Sequence, residues 1–217
     1  MKPIWFVSIC LLAFAGAVHE NKFDVTSGCL QHNSNYGYNV AHPFFALTSF
    51  ENALHQFDDK DTINRTTIRI GILTKNDGHI RLTSGEYPFY NPNNLITEIV
   101  ISGWSNTNHE VRTYSFQRPD ERSGITILKH QSSLGELSEF VPLMFTMEIT
   151  RLGDIALNKD GEQTSFLAVR HRQQTPLTGI YIGFCNWDVP AIYFYDCPLL
   201  KTEKHVCGDN KEVLLQH

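Results

Sequence analysis

The sequence predicts an all-β fold: an antiparallel β-sandwich of jelly-roll-like layout with about ten short strands. Three observations lead there. Apolar side chains recur at every second residue between the turns, the period of a pleated strand. Runs of Asn, Asp, Gly and Pro punctuate those segments at short intervals. Fourteen Phe, eight Tyr and three Trp suit half-buried strand positions.

The chain opens on a targeting pattern. Lys2 supplies a positive start, residues 4–14 are apolar, and Ala15-Gly16-Ala17 is a small-x-small cleavage site. Residues 1–17 are therefore expected to be a signal peptide cut after Ala17, leaving a secreted, extracellular protein; an uncleaved anchor is the alternative. Residues 18–64 read as an N-terminal arm. Within it, residues 33–39 are polar and aromatic without period, and His42-Pro43 breaks the run. Phe50, Ala53, Leu54 and Phe57 share one helical face behind Ser49 as a cap, so a short helix is expected over 49–57, an irregular strand being the alternative.

The sandwich itself is expected over 65–200. Residues 66–73 alternate Ile68, Ile70 and Ile72 with Thr67, Arg69 and Gly71. Asn76-Asp77-Gly78 signals a hairpin turn, and residues 79–83 return with Ile80 and Leu82 inward. A loop with two prolines spans 87–94. Residues 95–116 form two strands, with Ile99 and Ile101 opposite Glu98 and Val100, and Ser105-Asn106-Thr107-Asn108 as the turn. Gly103-Trp104 places an indole at the edge of that turn. Further strands are expected over 125–128, 140–150, 155–157, 166–171, 180–185 and 191–195, with Gly153-Asp154 and Asp160-Gly161 turning the chain. Residues 201–217 form a polar tail. No internal repeat or linker divides the chain.

Composition narrows the partners. With 217 residues, 41% hydrophobic and 19% charged, one domain can bury a core. A net charge of -5 excludes nucleic acid and an anionic membrane as natural main partners. After residue 17 no stretch is apolar and long enough to span a bilayer, so the mature protein is expected to be soluble. Removal of the leader takes Cys10 and leaves Cys29, Cys185, Cys197 and Cys207, an even number in an oxidising compartment. Of three connectivities, Cys185–Cys197 with Cys29–Cys207 is expected. The wide spacing does not suit zinc, and no metal is expected. Asn64-Arg65-Thr66 is a glycosylation sequon whose Asn64 must face water if used.

The order of motifs resembles a known family. Lys75-Asn76-Asp77-Gly78-His79-Ile80-Arg81-Leu82 comes first, then Glu98-Ile99-Val100-Ile101-Ser102-Gly103-Trp104-Ser105-Asn106-Thr107 with Val111-Arg112, then Tyr181-Ile182-Gly183-Phe184 with Trp187. Together they resemble the domain called farnesoic acid O-methyltransferase, over residues 65–196. Ser102 stands where the family usually has a second glycine, and Cys185 where a small hydroxyl residue is common. The resemblance implies methyl transfer from S-adenosylmethionine to a sesquiterpenoid carboxylate. The residues themselves show no G-x-G pair among fourteen glycines and no alternation of strands with helices, both of which a nucleotide-cradling parallel sheet requires.

Nor do the residues carry hydrolase chemistry: G-x-S-x-G and H-E-x-x-H are absent. His79, His109 and His171 could converge on a sheet, although solvated or hydrogen-bonded histidine is the commoner role. Asp58-Asp59 and Asp120-Glu121 lie in loops and suit solvation. A binding face is the better expectation. Trp104, Asn106, Asn108, Asn186, Trp187 and Asp188 fall at strand ends or in the following turns, and Asp77 and His79 could join them. Asn and Asp hydrogen-bond sugar hydroxyls, and an exposed indole stacks on a pyranose or covers a lipid. The competing role for the tryptophans is core anchoring, and for the polar residues turn formation. Arg112 is expected to pair with Glu98 or Glu110. The expected function is a secreted recognition module, without catalysis or cofactor, binding an extracellular glycan or protein at one end of the sandwich. The alternatives are the methyltransferase and a carrier of a small apolar ligand.

Overall fold

A computed structural model describes residues 21–35, 37–39, 42–90, 93–118, 121–170 and 176–200. Residues 1–17, expected to be a signal peptide, residues 201–217 with Cys207, and His171 lie outside the described residues. Thirteen strands are present among them. The N-terminal third gives β1 (Leu30–Ser34), β2 (Phe44–Ala46), β3 (Leu54–Phe57), β4 (Ile63–Leu73) and β5 (Gly78–Thr83). Then come β6 (Leu95–Ser102), β7 (Asn108–Arg118), β8 (Glu121–Ser132) and β9 (Leu143–Thr150). The chain closes with β10 (Ile155–Lys159), β11 (Leu167–Val169), β12 (Tyr181–Asn186) and β13 (Ala191–Cys197).

The strands form two sheets, all of whose pairings are antiparallel. The first runs β1-β13-β4-β9-β10-β11, with β3 also beside β4; the second runs β2-β12-β5-β6-β7-β8. The fold is the expected antiparallel sandwich. Alternation builds its core. Ile68, Ile70 and Ile72 of β4 and Phe145, Met147 and Ile149 of β9 face Ile80 and Leu82 of β5, Ile99 and Ile101 of β6, and Ile182 and Phe184 of β12. Each such side chain contributes about 1.5–3 kcal/mol on leaving water.

Four expectations are corrected. The arm contributes β1, β2 and β3 to the two sheets, so the sandwich is not confined to the expected 65–200. The helix over 49–57 does not form. Ser49 donates to the Ala46 carbonyl from a 3-10 turn at Leu47–Ser49, and Asp196 takes the Glu51 and Asn52 N–H groups, so the chain enters β3 and pairs with β4. The turn at Asn76-Asp77-Gly78 is not a hairpin: β4 belongs to the first sheet and β5 to the second, so this turn arches between layers, as does the one between β12 and β13.

The disulfide joins Cys29 to Cys197, replacing the expected Cys185–Cys197 and Cys29–Cys207. Strand register explains it. Leu30 pairs with Tyr195 across β1 and β13, which brings the Cys29 and Cys197 Cα atoms within 4.1 Å. Cys185 sits in β12 of the other sheet, buried and free. Asn64 is the second residue of β4 and is exposed.

Candidate functional site

One end of the second sheet gathers three turns. Register aligns Asn186 of β12 with Gly78 of β5 and Gly78 with Ile101 of β6. The β4–β5 arch, the β6–β7 turn and the β12–β13 arch therefore emerge side by side. They enclose a concavity of about 480 Å³ on the outer face of the sheet. Asp77, His79, Trp104, Trp187 and Asp188 line it together with Arg112 and Arg122. Both indoles are accessible, Trp104 at 48% and Trp187 at 40%.

The Trp104 turn is held in an unusual backbone. Ser102, Trp104, Ser105 and Asn106 have φ of 50°, 49°, 59° and 69°, the left-handed region that costs an L-residue about 1–2 kcal/mol. Such strain persists only where neighbours over-determine it. Here the Trp104 N–H donates to Asp77 Oδ1 at 3.2 Å. Asn106 donates through Nδ2 to the Leu137 carbonyl at 2.9 Å and accepts from the Leu137 N–H at 3.3 Å. Gly103 is needed for close approach: a Cβ there would meet Val100 Cγ1 at 2.8 Å. Asp77 and Asp188 are also left-handed, at 56° and 58°.

The remaining three expected site residues serve the turns. Asn106 is the clasp just described. Asn108 bonds its neighbour Thr107. Asn186 is buried, accepting from Ser34 Oγ at 2.6 Å and donating to the Val189 carbonyl at 2.5 Å, which shapes the arch bearing Trp187 and Asp188. His79 and His109 do not converge. His79 lies on the outer face, whereas His109 sits buried beside Phe166 and Glu136.

Beneath the concavity, alternation places a charged row on the outer face. Arg81 pairs across strands with Glu98, and Glu98 with Arg112. Arg81 Nε reaches Glu98 at 2.9 Å, and Arg112 reaches Glu98 at 2.7 Å and Glu110 at 3.0 Å, so Arg112 has the pairing expected of it. Tyr38 covers the row, its hydroxyl donating to Glu98 at 2.6 Å and its ring lying under the guanidiniums of Arg81 and Arg122 at 4.3 and 4.7 Å. Burial alone would push the Glu98 carboxyl up. Arg81, His79 and Arg112 together hold it well below the usual carboxylate range. Burial raises Asp77, only partly countered by His79 and the Trp104 N–H.

Sequence reasoning missed Tyr38 and Arg122 as parts of this face. Tyr38 lies in a segment with no period, and Arg122 follows a loop whose geometry no local pattern fixes. The cross-strand partners of Glu98, by contrast, follow from register alone.

His79, Glu98 and Cys185 bring their ligand atoms within 4.8 Å of one another, a metal-like grouping. Its chemistry does not fit a cation. Both Glu98 oxygens already bind guanidiniums, and burial pushes the Cys185 thiol up to about 12, away from the thiolate a metal needs.

Fold and site together define an antiparallel β-sandwich with an aromatic-rimmed concavity on one outer face. Residues 38–199 match the family described as farnesoic acid O-methyltransferase, and the chain belongs to that family. The match begins at Tyr38, earlier than the motifs alone indicated. Among curated proteins no match is found. Similar solved structures include the Bacillus licheniformis β-glucanase, at 12% identity and TM-score 0.37 over 78% of this chain and 90% of that one. Porphyranase B from Zobellia galactanivorans shares 11% identity with TM-score 0.38 over 76% and 85%. The CBM2 module of a Lactobacillus casei BL23 phage J-1 evolved Dit shares 8% with TM-score 0.33 over 80% and 92%. The likeness is one of strand layout alone.

The family's description implies a sulfonium methyl donor. The described residues do not fit a doubly wound nucleotide cradle: no strand pair is parallel, and the longest helical element has four residues. No phosphate- or ribose-binding strand-to-helix turn is present among them.

Proposed function

We propose that this protein is a secreted recognition module that binds a saccharide in the concavity between Trp104 and Trp187. One observation carries the reading: two accessible indoles from separate turns face one concavity whose rim also bears Asp77 and Asp188. An indole covers the apolar face of a pyranose, and carboxylates accept from its hydroxyls. The strained Trp104 turn and the buried Asn186 arch fix both indoles before a ligand arrives, which lowers the ordering cost of binding. A disulfide across the termini supports an oxidising compartment. Among the described residues no helix is long and apolar enough to cross a membrane.

The carrier reading has less support. The interlayer space is filled by fully buried side chains such as Ile70, Phe145 and Phe184. A glycan array with the purified protein tests the proposal. Binding to saccharides that is lost in both Trp104→Ala and Trp187→Ala supports it. An array without binding, or binding indifferent to both substitutions, overturns it.

A further inference from the structure

The concavity is electrically divided. Asp77 and Asp188 occupy the rim formed by the two arches, while Arg112 and Arg122 lie on the β7–β8 side. Arg112 is neutralised, holding Glu98 and Glu110. Arg122 is not. Its Nη1 donates to the Tyr38 hydroxyl at 2.8 Å, and its Cζ lies 4.7 Å from the centroid of the Tyr38 ring and 5.6 Å from that of Tyr114. No carboxylate among the described residues pairs with it, and the two nearest in the row are committed, Glu98 to Arg81 and Arg112, and Glu110 to Arg112 and His130. A guanidinium has five donors in a planar fork, so most of this fork stays open towards the concavity.

His79 differs, because its ring nitrogens are buried beneath the concavity and not open to it. It is 3% exposed and lines the concavity. Its Nδ1 lies 3.5 Å from Glu98, too long for a firm hydrogen bond, and its Nε2 has no partner.

We infer that the saccharide is anionic, with a ring carboxylate or sulfate held by Arg122 while its hydroxyls meet Asp77 and Asp188. This inference rests on the saccharide reading above and names the class of sugar. A guanidinium anchored beside aromatic rings and with free N–H groups can offer two parallel N–H···O bonds to a carboxylate or sulfate. The acidic rim then disfavours anions placed anywhere else, which sets the orientation of the ring.

Calorimetry with an oligohexuronate, its methyl ester and a sulfated neutral-backbone oligosaccharide tests it on the intact protein. The free acid or the sulfated sugar should bind at least ~10-fold tighter than the ester, and which of the two does so identifies the anion. The preference should shrink with added sodium chloride and disappear in Arg122→Gln, with Arg122→Lys keeping part of it. The comparison of acid with ester in the unaltered protein needs no variant to fold. Equal binding of acid, ester and sulfated sugar overturns the anionic assignment and leaves saccharide recognition standing. Failure of all three in a protein that binds neutral sugars on the array also overturns only the assignment. Failure of every saccharide overturns both.

Discussion

The outer faces of the two sheets start from the same alternation and finish differently. On the first sheet one region is closed by a covalent and an ionic tie. Met144, Phe194 and Cys197 cluster around the Cys29–Cys197 bridge. Arg69, 3% exposed, holds Asp160 at 2.6 Å and bonds the Val25 and Pro198 carbonyls, so one guanidinium ties together both ends of the domain. On the second sheet the row Arg81–Glu98–Arg112 is also largely buried, yet Arg122 beside it engages the protein only through Nη1, on the Tyr38 hydroxyl. Under the proposed function, an unmatched guanidinium beside accessible tryptophans is what a ligand from outside would engage.

Glu98→Gln should break this contrast most forcefully. It is fully buried between two guanidiniums, and removing one partner of a buried ion pair costs about 3–5 kcal/mol. On the first sheet the exposed pair Arg65–Glu148 should lose less than about 1 kcal/mol in Arg65→Ala. Urea unfolding of both variants measures the gap, and equal losses would remove the distinction between the faces. The next effect belongs to the closed region of the first sheet. Replacing Cys29 and Cys197 together by Ser opens a crosslink spanning 168 residues and should lower stability by about 2–5 kcal/mol. Thermal unfolding with and without reductant should show the unaltered protein, once reduced, matching the double variant. A third substitution separates fold from display. Asn106→Ala removes the clasp on Leu137 and should cost about 1–2 kcal/mol. In a Trp187→Phe background, the Trp104 emission should shift to the red as the left-handed turn relaxes. An unchanged emission maximum would mean that the turn holds without its clasp.

Legibility in the sequence follows the range of the interaction. Period-two alternation exposes one face of each strand, so β4 to β7, β9, β12 and β13 are readable from Ile68 to Tyr195 by local pattern. Alternation also predicts that Glu98 and Arg112 share a face. What is not local stays hidden. The pairing of β1 with β13 joins residues far apart in the chain, and the bridge from Cys29 to Cys197 depends on it. The Asn76-Asp77-Gly78 turn is legible as a turn, but whether it makes a hairpin or an arch depends on which strands β4 and β5 find as partners. The site divides the same way. Trp104, Trp187, Asp77 and Asp188 are visible as turn residues, and the structure brings them with His79 to one concavity. Tyr38 and Arg122 reach it through tertiary packing that no spacing encodes, and Asn106 and Asn186, read as ligand contacts, are placed to hold the turns.

The smallest effect concerns the polar cluster under the Trp104 turn, and it is read through pH. Glu136 accepts from Ser102 Oγ at 3.0 Å and from Ser133 Oγ, with His109 Nε2 at 3.4 Å and Lys159 Nζ at 3.7 Å. Burial by itself would raise its carboxyl. The Ser133 and Ser102 hydroxyls and His109 outweigh that and bring it from the ordinary 4.5 down to about 2. A carboxyl whose folded value lies below its unfolded one stabilises fully above the unfolded value and loses that contribution as pH falls through the folded one. The stability difference between the unaltered protein and Glu136→Gln should therefore hold steady at pH 5, shrink from about pH 4.5 downward, and close near pH 2. Unfolding followed at pH 5, 4, 3 and 2 measures it. A difference that stays constant across that range would show that Glu136 contributes through packing and neutral hydrogen bonds, and that the charge beneath the turn does not help to hold Trp104 in place.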